Sequence, residues 1–452
     1  MPRSFASPQP NIPGRGILAG YSARFWGAVI AIGLATGLGA AGFVALLNLV
    51  ERVAWRRTAS QFLAAVTAAS PTRIIVVLLI AGLLAGAGTL IWRRGQGSGG
   101  GEVTEALWFH GGRLELIPSL LRGVVSIVTV GMGASLGREG APQLAGAAFA
   151  SELCERVRSF SQRDRRLLVA AGAGAGMAAV YNVPLGGALF ALEVLLGSLA
   201  LPLVLPALLT SLIATAVAWI VVPTHATYAL PGFGVAARQV FWALIAGPLA
   251  GLAAILWLRL VARANHARPS RGSTRLLAPV VAFATVGALA IQYPLLLGNG
   301  QDLAQVVFAG KLSVGLIAVL LILKPLVTSA CLGSGAPGGL FTPTLALGVL
   351  FGSLLGHGWS ELWPGSSAGS YALIGGGAVL AAAMQGPLAA TVLMLELTHS
   401  PGTLTVPLLL AAGLATVVAR LANAPSIYSA RLAEPDRAPA PPPEPLPGQV
   451  VP

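Results

Sequence analysis

Nine stretches of this chain run for a bilayer-spanning length without a single Asp, Glu, Lys or Arg: residues 25–50, 74–92, 167–192, 194–237, 239–258, 276–301, 325–360, 362–395 and 397–419. A helix needs about 20 such residues to cross the hydrocarbon of a membrane. No soluble fold has room for so many, because the apolar surface left outside its core would aggregate. Charged residues are only 10% of the chain and hydrophobic ones 55%, against about 25% charged in soluble domains. The 57 glycines follow no G-X-Y period, which excludes collagen and suits close helix contacts in a membrane. The expected class is an all-α polytopic membrane protein.

The net charge of +13 fits that class better than it fits nucleic-acid binding. The arginines lie between apolar runs, where they set topology and meet anionic headgroups. Those at 156–166 and 259–275 mark the best cytoplasmic loops, although residues 51–73 are also basic. Cys154 and Cys331 lie far apart in apolar context, and the five histidines have no metal-ligand spacing, so neither metal nor disulfide chemistry is expected. The first 24 residues lack the apolar core of a cleaved signal peptide.

Several of the runs are broken by Gly and Pro, as at 172–184 and 333–343. A plain spanning helix gains nothing from such breaks. Half-helices that end inside the membrane require them, and they are tolerated where they line a site. The breaks also recur. Residues 133–137 and Gly146 correspond to 335–339 and Gly348 at an offset of 202. Gly172, Pro184, Leu185 and Glu193 correspond to Gly375, Pro387, Leu388 and Glu396 at 203. A repeat of this size points to a substrate site where its halves meet. In this register Glu139 and Phe341 are counterparts.

Glu139, in Gly137-Arg138-Glu139-Gly140, falls at membrane depth, where a carboxylate is costly and calls for a functional or pairing reason. At a helix N-terminus it would rest on free N–H groups, which would accept a small anion once the carboxylate moved away. The other reading pairs it with Arg138 and leaves Gly133-x-x-x-Gly137 to helix packing. Ser98, in the Gly-rich run 97–101, offers a hydroxyl. Gly339-Leu340-Phe341-Thr342-Pro343 fixes a turn whose Leu340 and Phe341 N–H groups can point at a pore. Tyr428 follows the last apolar run, a position at which a tyrosine commonly serves as an interfacial anchor.

Together these elements resemble the CLC family of chloride channels and chloride/proton exchangers, from about Arg24 to Ala430 and in the family's order. Gly97-Ser98-Gly99 is similar to the family's GSGIP loop, which implies that Ser98 coordinates the central chloride. Gly137-Arg138-Glu139-Gly140 is similar to GREGP, which implies Glu139 as the gate of the outer anion site. Gly339-Leu340-Phe341 is similar to GxFxP and implies anion binding by the amides of Leu340 and Phe341. Tyr428 matches the inner-gate tyrosine that completes the central site. The resemblance further implies a homodimer with one pathway per subunit and chloride as transported ligand, while the low Lys content and the richness in Ala, Arg and Gly suggest a GC-rich bacterial source and hence an inner-membrane location. It implies no cofactor, no enzymatic activity and, without the family's nucleotide-binding pair, no adenine-nucleotide regulation.

The chain departs from the family at Gly100-Gly101, in place of Ile-Pro, and at Ala141, in place of Pro. The consequential departure is Val194. Family exchangers carry an inner proton-relay glutamate there, whereas here the pair reads Glu193-Val194. Valine cannot titrate, so channel-like chloride conduction is expected, with exchange through Glu193 or another non-carboxylate path as the alternative. The organisation read from the sequence is a cytoplasmic segment at 1–23, a transport domain at 24–430 and a Pro-rich tail at 431–452. The resemblance implies that inverted repeats of about 24–222 and 237–422, with re-entrant helices, and a C-terminal helix to 430 make up the transport domain. The tail holds eight prolines in 22 residues, so disorder is expected there. An intramembrane serine protease built on Ser334 and His399, or an organic-solute carrier, are the readings from other classes.

Overall fold

The computed structural model describes residues 21–56, 62–91, 101–269, 272–399 and 404–432. The terminal segment before 21, the Pro-rich tail from 433, and Gly97, Ser98 and Gly99 lie outside the described residues. Among the described residues the chain forms seventeen α-helices and no strand. In the first half these are α1 Ala23–Trp55, α2 Phe62–Thr67, α3 Pro71–Ile91, α4 Gly101–Phe109, α5 Leu116–Gly131, α6 Gly140–Val157, α7 Gln162–Tyr181, α8 Pro184–Leu189 and α9 Leu201–Ala218. A π-turn, Phe190–Leu196, prolongs α8. The second half holds α10 Ala237–His266, α11 Gly272–Gln292, α12 Gln301–Phe308, α13 Val314–Gly333, α14 Phe341–Leu362, α15 Ala368–Met384, α16 Pro387–Thr398 and α17 Thr405–Leu421. The C-terminal helix read to residue 430 is instead α17 ending at Leu421, then a turn and one 3-10 turn, Ser429–Arg431.

Helices α1, α3, α9, α10, α11, α13 and α14 are long and apolar enough to cross a membrane. Their outward leucines, isoleucines and valines, such as Leu38, Leu256, Val281 and Ile322, are exposed, as a lipid-facing surface requires. By contrast α7 from Arg166 to Tyr181 and α15 from Gly369 to Met384 are buried at every position. A helix apolar on all sides belongs inside the molecule, and these two are the centres of their halves.

The glycine periodicity in the sequence has its cause in how these central helices are reached. A Cβ on Gly146 of α6 would run into the Gly172 carbonyl of α7, and one on Gly348 of α14 would run into that of Gly375 on α15. The two halves therefore use the same backbone-to-backbone crossing, at the positions the offset picks out. Gly133 and Gly335, also 202 apart, have φ of 105° and 94°, a left-handed conformation open to glycine and strained for other residues. Each makes the turn at the end of a helix, α5 or α13, that leads into the loop before α6 or α14. Past α7 and α15 the chain turns at Asn182 and Gln385, with φ of 56° and 61°.

Candidate functional site

The loops that lead into α6 and α14 meet at the centre. Gly137 and Gly339 form an antiparallel bridge, with the Gly137 N–H donating to the Gly339 carbonyl at 2.7 Å and the Gly339 N–H to the Gly137 carbonyl at 2.8 Å. This joint sets the first turn of α6 beside the first turn of α14. Glu139, 1% exposed, is the residue preceding α6, and its side chain reaches across the joint. The Phe341 N–H, at the start of α14, donates to Glu139 Oε1 at 2.8 Å. That N–H is one of the unpaired donors of a helix N-terminus, where the helix dipole also favours negative charge. A Cβ on either Gly137 or Gly339 would collide with the carboxylate. The glycines of both motifs thus form its cradle.

Two side chains that the sequence reading did not single out complete the seat. The hydroxyls of Tyr181 and Thr342 each donate to Glu139 Oε2 at 3.2 Å and lie 2.6 Å from each other. Tyr181 is the last residue of α7, and its ring packs against that of Phe341 with centroids 5.8 Å apart. Only a lone tyrosine inside the uncharged stretch 167–192, and a threonine beside Phe341, marked these positions in the sequence. Arg138 does not pair with Glu139. Its guanidinium carbon lies 5.0 Å from the centroid of the Tyr181 ring, a cation–π contact. A cavity of about 340 Å³, lined by Arg138, Tyr181, Asn182, His225, Asn299 and Asp302 among others, opens beside them.

Leu340 is the N-cap residue of α14, and of the two predicted amides only that of Phe341 meets the carboxylate. Behind the site, the buried Lys324 of α13 donates to the carbonyls of Leu296 and Gly298, both at 2.9 Å. Gly298 in turn donates to the Gly133 carbonyl at 3.0 Å, which ties the loop before α12 to the turn leading into Glu139. A buried ammonium needs such carbonyl partners to offset its lost hydration.

Tyr428 is 6% exposed, which fits an interior residue better than an interfacial anchor. Its ring lies 5.4 Å from that of Phe190. The segment is pinned by Ile427, whose N–H donates to the Ala383 carbonyl at 2.7 Å. Arg431 donates to the Gly338 carbonyl at 3.2 Å, and Gly101 at the start of α4 sits directly beneath, its absent Cβ facing the Arg431 stem and the Tyr428 carbonyl. Tyr428 therefore stands over the N-terminus of α4. The run 97–100 that leads into this helix, with Ser98, lies outside the described residues.

The pair Glu193-Val194 sits on the π-turn after α8. Glu193 accepts from the N–H groups of Leu388 at 3.2 Å and Ala389 at 2.5 Å, at the start of α16. Its counterpart Glu396 accepts from Leu185 at 3.1 Å and Gly186 at 2.6 Å, at the start of α8. The two carboxylates thus cap each other's half-helix, and Val194 packs beside Gly386 just before α16. As for the protease reading, the Ser334 hydroxyl is spent on the Cys331 carbonyl, while His399 is the C-cap of α16.

Residues 79–420 match the family described as "Voltage gated chloride channel". A ClcB-like protein of Ralstonia nicotianae is 35% identical over 412 residues, covering 88% of this chain and 95% of the relative. The "Voltage-gated ClC-type chloride channel ClcB" of Citrobacter koseri is 31% identical over 421 residues, covering 89% of this chain and 97% of the relative. Among solved structures, a slow cyanobacterial Cl−/H+ antiporter superposes with a TM-score of 0.80 at 23% identity, over 92% of this chain and all of that one. A CLC-type fluoride/proton antiporter gives 0.71 at 18% identity, over 90% and 97%. At such identities the structural likeness establishes the fold. With three quarters of its length inside the family match and the starts of α6 and α14 joined at its centre, the chain is a multi-pass membrane protein of the voltage-gated chloride channel family.

Proposed function

We propose that the protein conducts chloride passively, with Glu139 as an external gate on a pathway through the transport domain at residues 24–430. The observation that carries this reading is the Glu139 carboxylate seated on the Phe341 N–H at the head of α14. A carboxylate and a chloride ion ask the same of a site: N–H and O–H donors in a low-dielectric cradle. Glu139 and the anion compete for it. Protonated, the side chain loses its hold on those donors and leaves them to the anion, so flux rises as external pH falls. On the inner side Tyr428, with Ser98, completes the central site.

Passive conduction rather than exchange follows from the inner side. Val194 has no proton to give, and Glu193 is engaged in capping α16. Exchange is the competing reading, favoured by the half-buried position of Glu193 beside Val194. No cofactor and no enzymatic step enter the scheme. We place the protein in the bacterial inner membrane as a homodimer with one pathway per subunit. We assign the partner-facing surface to the mutually packed elements α8 and α16, which expose Leu185 and Leu388. Cross-linking in native membranes between cysteines introduced at Leu185 or Leu388 tests it: a covalent dimer is expected, and monomer only would contradict it.

The gate is tested by chloride efflux from liposomes holding the wild type or Glu139→Gln. The wild type speeds up as external pH is lowered, and the variant is fast and nearly flat with pH. Unchanged pH dependence in the variant would remove Glu139 from the gating role.

A further inference from the structure

We propose that the C-terminal end of α10 carries a binding site for an anionic phospholipid, with Arg259 and Arg263 on its phosphate and Leu252 and Leu256 along an acyl chain. Ile245, Leu249, Leu252 and Leu256 of this helix are all exposed, and so are Arg259, Arg263 and His266. The seven positions follow one another in alternate steps of four and three residues, so they share one helix face. The opposite face packs inward: Trp257, Leu258 and Val261 are buried, and the Trp257 indole N–H donates to the Thr344 hydroxyl at 2.9 Å. With 30 residues, α10 is about 45 Å long at 1.5 Å per residue, more than the ~30 Å of hydrocarbon it crosses. Its C-terminal turns, where arginine follows leucine on the same stripe, therefore lie at headgroup depth.

The protein supplies no counter-charge at this end. From Val194 to Gln301 the chain has six arginines and no Asp or Glu. Among the described residues no carboxylate pairs with Arg259 or Arg263, whereas the other basic loop has its own acids: Arg156 meets Glu152 at 2.8 Å and Arg165 meets Glu155 at 3.7 Å. Like charges four residues apart on a helix destabilise it, and a phosphate between them removes that cost. The helix dipole offsets it only in the last turn, which Arg259 precedes. Topology does not account for the register either, because the positive-inside rule counts loop charges without regard to the face they occupy. A shallow cleft of about 680 Å³ lies against Arg259, Ala262, Arg263, His266 and Ala267. Its lining between the cations is alanine, which leaves the space beside the guanidinium groups open to a ligand, and the His266 ring is held by its Nδ1 on the Ala262 carbonyl at 2.7 Å. The helix end is firmly seated, since a Cβ on Gly333 of α13 would come within 3.1 Å of the Ala264 carbonyl. A free phosphate ion would meet the same arginines, but the leucines that continue their stripe favour a phosphate that carries acyl chains.

The test uses the full chain with Leu249→Cys labelled by bimane, in phosphatidylcholine vesicles. The quencher is phosphatidylglycerol or phosphatidylcholine spin-labelled on its acyl chain. Cys154 and Cys331 are buried, so the label reports from this face. The expected result is that phosphatidylglycerol quenches at a mole fraction roughly twentyfold below that of phosphatidylcholine, as for two arginines at about fivefold each. Adding Arg259→Gln and Arg263→Gln together should bring the two curves into coincidence. Equal quenching by the two lipids without those substitutions would overturn the proposal, and a preference that survives them would remove the arginines from it. A preference abolished by excess inorganic phosphate at constant ionic strength would assign the site to the free ion and overturn the lipid reading. Should the arginine variant fail to reconstitute, the two quenching curves of the Leu249→Cys protein decide the question alone.

Discussion

Glu139 is held by three groups, and they are unequal. The Phe341 N–H belongs to the backbone and cannot be mutated away, whereas the Tyr181 and Thr342 hydroxyls can. Two hydroxyl protons serve three oxygen–oxygen contacts, so each hydroxyl also orients the other. Hydrogen bonds to a charged group are worth about 1.5–3 kcal/mol. On the gating role proposed for Glu139, Tyr181→Phe, which keeps the ring against Phe341 and under Arg138, should loosen the seat of the carboxylate and raise chloride flux at neutral pH several-fold. Thr342→Val acts in the same direction. A flux equal to wild type in both variants would mean that the Phe341 amide alone holds the gate. Glu139 was legible in the sequence because a carboxylate at membrane depth needs a reason. Tyr181 was not, because an aromatic residue ending an apolar helix is ordinary until the fold turns its hydroxyl onto a carboxylate 42 residues earlier. The wrong partner for Arg138 has the same origin: adjacency in sequence suggested Glu139, and the aromatic face came from another helix.

Between elements, the repeat read from Gly and Pro positions has a physical content that spacing alone did not reveal. The glutamate nine residues after each proline reaches over and caps the half-helix of the other repeat, so α8 and α16 are locked head to head by reciprocal carboxylates. Loss of a capping side chain typically costs about 0.5–2 kcal/mol. Glu193→Gln and Glu396→Gln should each lower the thermal midpoint of the purified protein by a few degrees while leaving chloride conduction intact. A Glu193→Gln protein that keeps its stability but loses proton-linked transport would instead mark Glu193 as a relay. The glycine crossings are less forgiving. At Gly146 the clashing neighbour is backbone, which cannot swing aside, so Gly146→Val should abolish monodisperse protein, whereas Gly42→Ala, which meets nothing within 4 Å, should be tolerated. The helices α5 and α6 escaped the search for uncharged runs because Arg122 and the acidic end of α6 interrupt them.

At the scale of the whole molecule, the chain keeps most of its charges in the segments between its apolar helices and leaves lipid to meet leucine, isoleucine and valine. Away from the gate, Arg122 and Glu102 form a buried ion pair at 2.8 Å that joins α5 to α4. Removing one member of such a pair strands the other charge and costs about 3–5 kcal/mol, while replacing both can be nearly neutral. Arg122→Met should express poorly, and the double variant with Glu102→Met should recover much of the loss, as yield and gel filtration would report. We propose passive conduction through a glutamate gate with no inner proton relay. Its most direct test is simultaneous recording of chloride efflux and external pH from liposomes with an outward chloride gradient and the potential clamped by valinomycin. Chloride efflux with no protonophore-sensitive proton uptake is the expected result. Proton uptake driven uphill by the chloride gradient would contradict it and make this protein an exchanger.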